Sequence, residues 1–114
     1  MVVLEGAKDY ILALLAREKT GISHIGIGTG TPTSNGLGNE VGRRSIRDVV
    51  VPATKQRIFE AFFEDTYPAT DYTIREVGLI GNAGSEYVAA TSIASVVKRS
   101  GIDSLMIKYK LYYE

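Results

Sequence analysis

The sequence predicts a mainly β protein: an antiparallel β-sandwich or open barrel with one N-terminal α-helix, α+β by strict count. Three observations predict it. After Gly21 the apolar residues recur with a period of two rather than three to four. Glycine, proline, asparagine and aspartate interrupt those runs at short intervals, as in sheets joined by turns. Helical spacing is confined to the first eighteen or so residues.

The helix is expected over residues 4–18. Leu4, Ala7, Ile11, Leu14 and Leu15 fall three and four apart on one face, with Glu5, Asp9, Arg17 and Glu18 opposite. Gly6 weakens the first turn by about 1 kcal/mol relative to alanine, and Gly21 supplies a stop. "SHIGIGTG" reads as a short strand and "RRSIRDVVV" as another. In "KQRIFEAFFED", Phe59, Ala61 and Phe63 share one face, while Ile58, Glu60, Phe62 and Glu64 share the other. That second face exposes apolar surface unless something covers it. "YTIREVGLIG" and "EYVAATSIASVVKR" are two strands that "GNAGS" closes into a hairpin between residues 72–81 and 86–97. In "DSLMIKYKLYY", Leu105, Ile107, Tyr109, Leu111 and Tyr113 point one way and Lys108 and Lys110 the other. The expected organisation is one domain over residues 1–114, with the helix at 4–18 and the β core at 22–113.

Composition narrows the function classes. Thirteen basic residues balance thirteen acidic ones with no block of like charge, so no nucleic-acid or membrane partner is expected. The N-terminal residues lack a basic start and a small-residue cleavage site, and are too polar to span a bilayer. The absence of cysteine removes disulfides and thiolate metal sites.

The glycine-rich run "HIGIGTGTPTSNGLGNEVGRR" opens like a nucleotide-binding loop. A phosphate loop converges backbone N–H groups and a helix N-terminus on the anion. Here no glycine-lysine-Ser/Thr sequence occurs, and Gly26, Gly28 and Gly30 lead to Pro32 rather than into a helix. The expected reading is a strand that passes close to a neighbouring backbone, followed by a turn-rich surface loop. His24 beside Ser23 does not make a triad, since neighbours on a strand face opposite ways and no nucleophile elbow is present. Glu60, Glu64 and Asp65 are read as solvated carboxylates, without calcium-loop spacing, and Glu76 as a cross-strand partner of other side chains. No catalytic residue, metal ligand or cofactor is expected.

"IGIGTGTPTSNGLGNEVGRRSI" resembles a pattern in small tail-fibre and baseplate-associated structural proteins of tailed bacteriophages. The matching positions are Gly28, Thr29, Gly30, Pro32, Leu37, Asn39, Glu40, Val41 and Arg43. "RIFEAFFED", "TIREVGLIGN" and the closing hairpin "YVAATSIASVVKRSGIDSLMIKYKLYY" follow in the family's order, so the resemblance covers residues 22–113. "GLI" stands where that pattern has G-L-F.

The resemblance implies a β-sandwich-like virion component, assembled in the host cytoplasm, that binds copies of itself and other virion proteins. A non-enzymatic homo-oligomer is therefore expected, with a capsid decoration protein as the nearest alternative. The residues proposed for contact are Thr31, Pro32, Ser34, Asn35 and Leu37 on the loop from Thr29 to Gly42, and Ile58 and Phe62 on the outer strand face. A carbohydrate- or receptor-binding module is the alternative from another class, with Tyr67, Tyr72 or Tyr112 stacking on sugar rings.

Overall fold

A computed structural model describes residues 21–112, which form seven strands. They are β1 (Ile22–Gly28), β2 (Glu40–Ser45), β3 (Asp48–Val50), β4 (Gln56–Phe63), β5 (Tyr72–Gly81), β6 (Glu86–Lys98) and β7 (Leu105–Tyr112). One sheet has the order β2-β1-β5-β6 and the other β3-β4-β7, with every neighbour antiparallel. Two separate sheets sharing one core make a sandwich rather than an open barrel. The helix expected over 4–18 and the inward position expected for Tyr113 lie outside the described residues.

The core follows from the period-two pattern. Ile25 and Ile27 of β1, Ile74, Val77 and Leu79 of β5, and Phe59, Ala61 and Phe63 of β4 form one buried cluster. Leu105, Ile107, Tyr109 and Leu111 of β7 pack against its edge. Full burial of a side chain such as Phe59 or Ile25 is worth roughly 1.5–3 kcal/mol each, so this cluster dominates the stabilising side. In β5 all residues from Val77 to Gly81 are buried, although a strand with one wet face should alternate. The reason is that β5 is central in its sheet and its outer face is also covered, by the glycine-rich loop.

The hairpin expected at "GNAGS" joins β5 to β6. Asn82, Ala83 and Gly84 all take positive φ there, the conformation that a tight hairpin turn requires. The stretch "RRSIRDVVV" corrects one expectation, because it is two strands in two sheets. The Ile46 N–H donates to the Ser23 carbonyl in the first sheet, and the Arg47 N–H donates to the Glu60 carbonyl in the second. The chain changes layer between these two residues, and no glycine or proline marks the corner.

Candidate functional site

The glycine-rich segment does converge backbone donors on an anion, and the anion belongs to the protein. Glu76 on β5 is fully buried. Its Oε2 accepts the N–H groups of Gly30 at 2.8 Å and Asn39 at 2.8 Å, and its Oε1 accepts the Gly38 N–H at 2.7 Å. The two ends of the loop are thereby tied to the middle of the sheet. This replaces the cross-strand role expected for Glu76, because its side chain reaches the loop laid over the sheet.

The alternation Ile-Gly-Ile-Gly in β1 has a cause on each side. Ile25 and Ile27 enter the core, whereas Gly26 and Gly28 face the loop. Gly28 is the register partner of Glu76 on β5. A Cβ on Gly28 would lie 2.4 Å from the Glu76 Oε2 and 2.5 Å from the Asn39 carbonyl oxygen. Gly28→Ala is therefore expected to destabilise the fold by about 1–3 kcal/mol, read as a lower urea midpoint at unchanged slope.

Leu37 returns from the loop onto the sheet. Its methyl groups occupy the space over Gly26 and Gly78, themselves register partners, so that a Cβ on either would meet them at 3.3 or 3.2 Å. The Tyr87 ring fits against Gly36, whose φ of +126° only glycine adopts readily. The Tyr87 hydroxyl donates to Glu40 Oε1. Arg43 grips the same carboxylate with two donors, each at 2.7 Å, and donates through Nη1 to the Gly84 carbonyl at 2.6 Å. Glu40 thus ties β2 to β6, and Arg43 ties the pair to the hairpin turn.

His24 borders this network. Its Nδ1 lies 2.8 Å from the Ser23 Oγ, and that hydroxyl donates to the Ile80 carbonyl at 3.2 Å. The expectation that Ser23 and His24 face opposite ways is corrected: the β1–β5 register shifts between Ile22 and His24, and the extra residue turns the pair together. With its proton directed to a backbone carbonyl, Ser23 serves as a link between strands.

The ionisation of this cluster gives a pH dependence. Burial, with the Arg43 charge adding to it and Glu40 opposing, holds His24 below its ordinary value of 6.5. Burial pushes Glu40 upward, but hydrogen bonds from Arg43 and Tyr87 outweigh it and leave the carboxyl below its ordinary 4.5. Burial and then the Glu40 contact push the Tyr87 hydroxyl up, so it remains a donor at neutral pH.

Below about pH 6.5 the unfolded chain takes up a proton at His24 more readily than the folded one, so stability declines as pH falls. The Glu40 contribution is present above 4.5 and is lost as pH falls through the lower folded value. Urea midpoints measured across pH should fall in two stages, and His24→Gln should remove the upper stage while only trimming the lower one, to which His24 is the smallest contributor.

The remaining sequence-proposed residues fall in two places. Thr31, Ser34 and Asn35 are exposed at the loop tip and Pro32 is half-buried there, with Thr33 and Gly36 bridged by two backbone hydrogen bonds. Residues 29–39 form this loop, since Glu40 to Gly42, expected in it, already belong to β2. Leu37 is half-buried, with its methyls turned to the sheet. Ile58 and Phe62 lie on the outer face of the three-stranded sheet, Ile58 half-buried and Phe62 38% exposed. Met106 and Val50, which sequence reasoning did not single out, join them as exposed apolar side chains. The register is the signal that finds them, since Met106 pairs with Phe62 and Val50 with Ile58.

The aromatic and acidic candidates are largely engaged. The Arg44 guanidinium stands 3.5 Å from the Tyr67 ring centre, Phe63 stacks on that ring at 6.3 Å, and the Tyr67 hydroxyl accepts the Arg43 N–H at 3.0 Å. Tyr72 packs against the core, while Tyr112 is 54% exposed beside Lys110. Glu64 pairs with Arg44 at 2.5 Å and Glu60 with Lys108 at 3.6 Å. A groove of about 460 Å³ opens between β6 and β7, with Val77, Ile93 and Ile107 in its wall and Lys108 and Lys110 also lining it.

No protein-family model, curated protein or solved structure matches this chain.

Proposed function

We propose that this chain is a non-enzymatic structural module that works by assembling with copies of itself and with other proteins of a virion, that of a tailed phage or related virus. The observation that carries the assembly reading is the outer face of the β3-β4-β7 sheet. There Val50, Phe62 and Met106 are each 38% exposed on strands whose opposite face is the core. Phe62 and Met106 form one apolar pair there and Val50 and Ile58 another, with Asp48, Glu60 and Lys108 in the row between them, and such a mixed surface held rigid by the packing beneath it suits contact with another protein.

Two further features support this reading. The loop donors that would have to face a nucleotide phosphate are directed to Glu76. Ser23 and Glu40 are spent on links between elements. The placement in a virion rests on the likeness of the glycine-rich segment and the strands after it to tail-fibre and baseplate-associated proteins.

Light scattering and sedimentation on the purified chain test the assembly reading. Concentration-dependent association that Phe62→Ser suppresses is the expected result. A strict monomer at high concentration, with no binding to other proteins of the particle, overturns it. Localisation of the chain by particle reconstruction tests the virion assignment and separates tail from shell.

A further inference from the structure

We propose that the outer face of the β3-β4-β7 sheet is self-complementary and seats a second copy of the chain, about a two-fold axis parallel to β4 and β7 and midway between them. The inference rests on the assembly reading and specifies its geometry.

The register of β4 and β7 determines the match. On the outer face Phe62 pairs with Met106, Glu60 with Lys108 and Ile58 with Lys110. A two-fold axis in that position exchanges β4 and β7 while preserving height along the strands. Each residue then lies opposite the counterpart of its own cross-strand neighbour. Phe62 faces Met106 of the partner subunit, and Glu60 faces Lys108 of the partner subunit. Ile58 meets the aliphatic stem of the partner's Lys110, whose ammonium reaches the edge.

Charge favours this arrangement over an axis through β4. Within one chain Lys108 Nζ lies 3.6 Å from Glu60 Oε1, and the Lys108 side chain is 63% exposed. Stacking about the proposed axis closes a ring of alternating charge from two glutamates and two lysines, between the Phe62–Met106 row and the Ile58–Lys110 row. An axis through β4 would instead place Glu60 on the partner's Glu60. Like charges facing across a closing interface oppose association, and opposite charges fix its register. The Arg47 guanidinium stands over the Phe62 ring, 6.0 Å from its centre, and so borders the contact with the partner's Met106, whereas Asp48 and Val50 on β3 fall at the rim beyond the partner's β7. Two sheets stacked in this way are about 10 Å apart, the usual spacing of a sandwich core.

The test is an exchange of charge between chains. Glu60→Lys places lysine opposite lysine, and Lys108→Glu places glutamate opposite glutamate, so each variant alone should dimerise about tenfold more weakly or worse. An equimolar mixture of the two variants should recover a heterodimer, because every facing pair is again opposite in charge. That recovery depends on contact between chains, and the ion pair within each chain cannot produce it. Sedimentation velocity reads association, and circular dichroism confirms that each variant is folded. Phe62→Ser supplies a second route should a charge variant misfold, and is expected to abolish the dimer. If the native chain associates while the charge variants do so unchanged, or if mixing restores nothing, this interface is wrong although assembly stands. A native chain that is monomeric at all concentrations overturns both.

Discussion

Glu76→Ala is expected to destabilise the protein by about 3–5 kcal/mol, a large part of the roughly 5–15 kcal/mol that holds a domain of this kind together. The carboxylate is fully buried and receives three backbone N–H groups from Gly30, Gly38 and Asn39. Alanine removes all three acceptor contacts together and leaves space beneath the loop. An unpartnered buried donor costs about 1–3 kcal/mol. Gly38 and Asn39 are solvent-exposed residues whose amides can regain water, which keeps the total below the sum of three full penalties.

Glu76→Gln separates charge from shape. Its carbonyl at the Oε2 position would keep the Gly30 and Asn39 bonds, while its NH2 would oppose the Gly38 N–H. An intermediate loss is therefore expected. Urea denaturation measures both, and hydrogen exchange should accelerate at the Gly30, Gly38 and Asn39 amides before it does so in β4. Native stability in Glu76→Ala would show that the loop is held by Leu37 and Tyr87 instead.

That carboxylate also shows why the sequence is legible in some places and opaque in others. β7 can be read directly, because Leu105, Ile107, Tyr109 and Leu111 alternate with Met106, Lys108, Lys110 and Tyr112, and the strand has one wet face. β4 is legible for the same reason, including the exposed position of Phe62. Glu76 sits between Arg75 and Val77 and looks like an ordinary outward charge. Its partners are 37 to 46 residues away, and nothing local announces that the loop will return across the sheet.

The glycines carried part of that signal. Gly26, Gly28 and Gly78 indicate a close approach, but spacing alone does not reveal whether an anion from outside or a loop of the same chain arrives there. The layer change at Ile46 and Arg47 was hidden because the corner is made by backbone hydrogen bonds to two different sheets. The pairing of Ser23 with His24 was hidden because a register shift defeats strict alternation. In each case the missing information is tertiary.

Phe59→Ala and Phe62→Ser should behave as opposites although the two residues are three apart on one strand. Phe59 is fully buried in the middle of β4, paired with Val49 on one side and Tyr109 on the other. Truncating it removes a ring from the shared core of both sheets and leaves a cavity between close-packed neighbours. The expected cost is about 3–5 kcal/mol, and the midpoint of thermal unfolding should fall by more than about 10 °C.

Phe62 projects from the same strand to the solvent side at 38% exposure. Serine there should change monomer stability by about 1 kcal/mol or less, since what is lost is strand propensity, the cross-strand pairing with Met106 and the exposed Arg47 guanidinium over the ring. Its effect should fall on association, where the loss of the largest apolar anchor of the proposed contact surface is felt. Thermal unfolding at low concentration and sedimentation at high concentration separate the two quantities. A Phe62→Ser protein that unfolds as early as Phe59→Ala would place that ring in the fold rather than at an interface, and would leave the outer face without its reason to be apolar.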